Sequence, residues 1–69
     1  MDPKTLVLRC ALLLSGTAGT KRPMKLTDLK LTQPQLTELQ AISCDELILL
    51  GYSRARAFRD VQKAMAQLV

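Results

Sequence analysis

Few residues in this chain have side chains suited to covalent or proton chemistry. Its 69 residues include no His, two Cys and six Asp plus Glu. Without His there is no proton shuttle near neutral pH, no Ser-His or Cys-His nucleophile pair and no His-containing zinc site. Cys10 and Cys44 are the only thiols and form no CxxC pair, so a thiolate metal site within one chain is excluded as well. Both cysteines sit beside apolar residues, Ala11-Leu12 and Ile42, where a thiol behaves as a small hydrophobe. A disulfide between them is not expected, which fits a reducing, cytoplasmic setting. No catalytic residue, metal ligand or cofactor is assigned, and an enzyme is not expected.

The spacing that does suggest chemistry is cationic. Ten Lys plus Arg against six acids give a formal charge of +4, and Arg54, Arg56, Arg59 and Lys63 fall close together near the end of the chain with Asp60 as their one acidic neighbour. Arg59 and Lys63 are four apart, a like-charge arrangement that costs a few tenths of a kcal/mol on an isolated helix, at about 0.2–0.5 kcal/mol per pair. Arginine near a helix N-terminus also opposes the macrodipole. A polyanion such as duplex DNA relieves both. The plainer reading is an ordinary solvated helix face. Lys21-Arg22 is a soluble loop tip or a second phosphate contact.

What must position these residues is helical. Three Gly and three Pro are too few for a many-stranded architecture, and 48% of the residues are apolar, with fourteen Leu. A domain this small buries only about 60% of its unfolded surface, so either the fold is compact and helical or some of that apolar surface goes to a partner. Asp2-Pro3 starts a helix and Gly16 stops it, giving residues 3–15. Its apolar residues, Leu6 to Leu8 and Cys10 to Leu14, nearly encircle it, which calls for burial on more than one side or a homodimer contact. The same run is far short of the ~20 residues a bilayer span needs and is broken by Arg9. It also fits a secretory signal poorly, because Asp2 opposes Lys4 and the cleavage match at 15–19 is loose.

Residues 16–24 read as a small-residue loop, and 24–31 fit neither an extended segment nor a helical turn cleanly. Thr32-Gln33-Pro34-Gln35 has a capping-box form and starts a short helix over 33–41; Ser43-Cys44-Asp45-Glu46 has the same form and starts another, Asp45 to Leu50. Gly51 ends it with a left-handed cap, and Ser53 caps a last helix whose apolar positions Ala57, Phe58, Val61, Ala64, Met65 and Leu68 keep a three-four rhythm. Met24 and Met65 read as core gap-fillers. The expected fold is therefore a single all-α domain of four to five helices with a helix-turn-helix-like corner at 43–68.

Residues Glu46 to Arg59, with Leu49-Leu50-Gly51-Tyr52-Ser53-Arg54 at their centre, resemble the helix-turn-helix of excisionase-type and related small regulators of phages and mobile elements. They are also similar to a small family from Gram-positive conjugative elements that combines an acidic residue, Leu-Ile, Leu-Gly-Tyr-Ser and a basic helix. The resemblance implies DNA binding in regulation or recombination, with Ser53 and Arg54 approaching phosphate and Arg56 and Arg59 approaching bases or phosphates; Lys63, beyond the resemblance, belongs to the same basic face. The resemblance covers about the last third of the chain. Ala57 and Asp60 stand where such helices carry larger apolar residues, and no β-wing follows.

The Leu-Gly-Tyr corner is similar, too, to the three-helix C-terminal domain of RuvA branch-migration subunits and to ubiquitin-associated-like domains. That likeness implies an interaction module docking on a larger protein such as a polymerase, helicase or host factor, with Leu49, Tyr52 and Phe58 as contacts. Several unrelated helical modules share such a corner.

Overall fold

A computed structural model describes residues 2–16 and 25–68, and these form three helices: α1 Pro3–Ser15, α2 Gln33–Leu49 and α3 Arg54–Leu68, with a 3-10 turn at Leu26–Leu29 before α2. The described chain is all-helical. The expected loop tip, with Lys21, Arg22 and Met24, lies outside the described residues.

Each helix begins where its sequence provides a cap. The Asp2 carboxylate accepts the Thr5 amide at 3.4 Å with Pro3 in the first turn, and α1 ends on left-handed Gly16, φ +76°. At α2 the reciprocal box forms: the Gln35 amide donates to the Thr32 hydroxyl at 3.4 Å, and the Thr32 amide donates to Gln35 Oε1 at 2.8 Å. Two of the orphan donors at that helix start are satisfied in this way. At α3 the Arg56 amide donates to Ser53 Oγ at 3.2 Å.

The count of four to five helices is corrected to three. The two short helices expected over 33–41 and 45–50 are one continuous α2, and Ser43 does not cap anything. No Gly or Pro lies between Pro34 and Gly51, so nothing in the chain forces a break. Continuity also puts Leu39, Ser43 and Leu47 one above another at four-residue spacing, and all three are fully buried. Burying each of those two leucines is worth roughly 1.5–3 kcal/mol, more than a second cap, at typically about 1 kcal/mol, would offer.

Each helix packs against the other two, and the 3-10 turn packs on α1. The shared core takes Leu6, Val7, Cys10 and Ala11 from α1, Leu26 from the turn, Leu39 and Leu47 from α2, and Ala57, Val61, Ala64 and Leu68 from α3. The alanines at Ala11, Ala57 and Ala64 keep the helices close. The apolar surplus of α1 is mostly absorbed here: Leu8 and Leu14 pack on the core edge, and Leu13 is its one large, well-exposed apolar side chain. Met65 packs at the core edge as expected.

Candidate nucleic-acid interface

The α2–α3 corner is set by backbone hydrogen bonds. After the last turn of α2 the Gly51 amide donates to the Ile48 carbonyl at 3.0 Å and the Tyr52 amide to the Leu47 carbonyl at 3.1 Å, the paired closure of a Schellman cap. Gly51 has φ +103°, a conformation that costs glycine nothing and a residue with Cβ a good deal. The turn satisfies the α2 carbonyls, turns Tyr52 back against the core and leaves Ser53 free to cap α3.

On α3 the buried residues Ala57, Val61, Ala64 and Leu68 define the inner face, and the 3.6-residue period places every other residue relative to them. Arg59 points straight away from the core, and Arg56 and Lys63, at three before and four after, share its stripe. All three are exposed. Arg54 belongs to the opposite flank, where it joins Phe58 and faces α2. The four cations that are close in sequence are therefore split, three on an outward stripe and one at the α2 side.

The outward three are not equivalent. The Arg56 guanidinium lies 4.8 Å from the centroid of the Tyr52 ring, within cation–π range, and its Nε is 3.5 Å from Asp60 Oδ2. That is the only ion pair among the described residues. Arg59 has no acidic partner, whereas Lys63 borders a shallow cleft shared with Asp2, Lys4, Asp60 and Gln67. Lys4, from α1, thus comes to the same cleft as Lys63, where Asp2 and Asp60 stand beside the two lysines. No acid occupies the first turn of α3, and Ser53, Arg54, Ala55 and Arg56 are all exposed there. A helix N-terminus with cations and no carboxylate favours an anion.

The residues singled out for a protein partner are also divided. Leu49 is 80% exposed and Phe58 52%, but Tyr52 is half-buried against the core beneath Arg56. Ile48 and Leu50 are exposed beside them. Reading 45–50 as a short separate helix hid a second stripe on α2: Ala41, Cys44 and Ile48 at i, i+3 and i+7 line an open groove of about 460 Å³, closed on its far side by Arg54 and Phe58 of α3.

Both thiols are free. Burial pushes the Cys10 thiol above its ordinary value of 9.0, and Glu46 adds to the rise, while the nearby Ser43 hydroxyl and Arg9 temper it. Cys44 is raised in the same direction by burial and by neighbouring Asp45. Neither thiol is an activated nucleophile. Among the described residues no group of three or more His, Cys, Asp or Glu stands together as a metal site, and no helix is long and apolar enough to cross a membrane. No protein-family model, curated protein or solved structure matches the chain.

Proposed function

We propose that the chain is a small DNA-binding protein that applies the outer stripe of α3 to the phosphate backbone of a duplex, in the regulation or recombination of a phage or mobile element. The observation that carries this reading is the unopposed Arg59 at the centre of a stripe flanked by Arg56 and Lys63, on a helix whose first turn holds no acid. The order of helix, glycine-containing turn and helix, α2 to α3, supports the reading, because helix-turn-helix units use that order to bring a second helix to a major groove. Ser53 at the N-terminus of α3 meets phosphate, Arg59 and Lys63 meet the backbone or base edges, Arg56 adds charge from its held position, and Arg54, on the flank facing α2, lies off this contact. Duplex binding that weakens steeply with salt tests the reading; no binding at low salt would end it.

A second reading has its own support. Leu49 and Phe58 are more than half exposed, an apolar surface that suits an interaction module modulating a larger protein. Capture of such a partner with wild type but not with Leu49→Glu, together with an absence of DNA affinity, would favour it.

A further inference from the structure

The outward face of α3 has two unlike shoulders. Ala57, Val61, Ala64 and Leu68 fix the inner face, and Arg59 lies opposite them, so the positions nearest to Arg59 divide to its left and right. At ~100° per residue, Arg56 and Lys63 stand about 40–60° to one side, and Ala55, Gln62 and Ala66 stand about 20–60° to the other. All of these residues are exposed. The first shoulder turns toward α1, where Lys63 borders a cleft with Asp2 and Lys4; the second turns toward α2, next to Phe58. One shoulder is cationic and the other neutral, with Gln62 as its one hydrogen-bonding side chain.

We infer that Gln62 is a base-reading residue of α3 and that the base it reads is adenine. The inference rests on the DNA-binding reading and gives the two shoulders different partners on the duplex. Cations are drawn to phosphate, so Arg56 and Lys63 settle on a strand backbone. That turns the neutral shoulder toward the floor of the major groove, where a side chain gains by matching base edges. A glutamine amide offers an acceptor and donors side by side. Adenine presents the matching donor and acceptor at N6 and N7, whereas guanine presents two acceptors at N7 and O6. Ala55 and Ala66, on the same shoulder before and after Gln62, keep this side of the helix slim. The major groove is about 12 Å wide and a helix with its side chains about 10–12 Å across, so long side chains at those positions would hold the amide off the bases.

The test is selection from a pool of duplexes randomised over one helical turn, about ten base pairs, bound by the full chain at low salt and then sequenced. Wild type is expected to enrich an A·T pair at one position of the bound site by roughly tenfold over the alternatives. Gln62→Ala flattens that position alone. It leaves the helical signal and the slope of affinity against salt as in wild type, because Gln62 is exposed and uncharged. Gln62→Arg moves the preference at the same position to G·C, the pairing that a bidentate arginine makes; loss of a merely structural contact would produce no such switch. Duplexes retained without base preference, or a preference that survives Gln62→Ala or does not move in Gln62→Arg, overturn the assignment of Gln62 while DNA binding itself stands. If no duplex is retained at low salt, the DNA-binding reading falls and this inference falls with it.

Discussion

Arg56 lies over the ring of Tyr52, its guanidinium carbon 4.8 Å from the ring centroid, and the same side chain reaches Asp60 one turn further along α3. The aromatic residue of the turn and a cation of the helix it introduces are thereby joined, so the direction of α3 is linked to the closure of α2. The arginine is better read as a strut that also presents charge.

Tyr52→Ala and Arg56→Ala should destabilise the corner non-additively. Arg56 is largely exposed, so its share is small, about 0.5–1 kcal/mol for an exposed cation–π contact. A double-mutant cycle by urea denaturation checks it: a coupling energy near zero would show that the contact does not stabilise the fold.

Ser43 should be replaceable with profit. Its hydroxyl is fully buried and has no hydrogen-bond partner in the protein, although it lies near enough to Cys10 to favour that thiol's ionised form. The geometry of the hydroxyl decides the matter, because a support for thiolate is of no use while the thiol stays protonated. An unsatisfied buried hydroxyl costs about 1–3 kcal/mol, and Ala is the better helix former. Ser43→Ala should raise the urea midpoint, corresponding to about 1 kcal/mol; a lower midpoint would mean that the hydroxyl is satisfied in solution.

How the sequence sufficed for part of this fold is visible in its ends. Asp2-Pro3, Thr32 with Gln35, Gly51 and Ser53 each act locally, and each does in the structure what its side chain or backbone freedom predicts. Ser43 misled because a capping box is a local pattern too, and the burial of Leu39 and Leu47 on either side outweighs it. The basic cluster was legible as charge, but not its division into an outward stripe and a lone Arg54, since that follows from which face α3 buries. The meeting of Lys4 with Lys63 at one cleft, and of Asp45 with Arg54 along one groove, depends on how the helices pack and has no local signature.

Gly51→Ala should be costly for backbone reasons alone. No atom lies within 4 Å of where its Cβ would be, yet φ is +103°. The loss should exceed about 1 kcal/mol, since alanine is strained wherever φ is positive. Gly16→Ala, at φ +76° with equally open space, is the comparison. Should Gly51→Ala melt at the wild-type temperature, the turn must have another conformation.

Alkaline pH should destabilise the protein through its thiols. Both have folded pKa values raised above 9.0 by burial, so the unfolded chain releases these protons first. Stability from this source is therefore complete below about pH 9 and lost as pH rises through the folded values. Urea midpoints at pH 7 and pH 10 check the sign, with Cys10→Ala flattening the dependence. Alkylation of Cys10 in the native protein at pH 7 should be slow.

The measurement that bears most directly on the central claim is the salt dependence of duplex DNA binding by wild type and by Arg59→Ala/Lys63→Ala. Three phosphate contacts from the α3 stripe predict a slope of log K against log salt of about −3, falling by about 2 in the double variant. The variant should keep the wild-type helical signal, because neither residue is buried. Absence of binding at low salt, or an affinity and slope unchanged by removing both cations, would contradict the account.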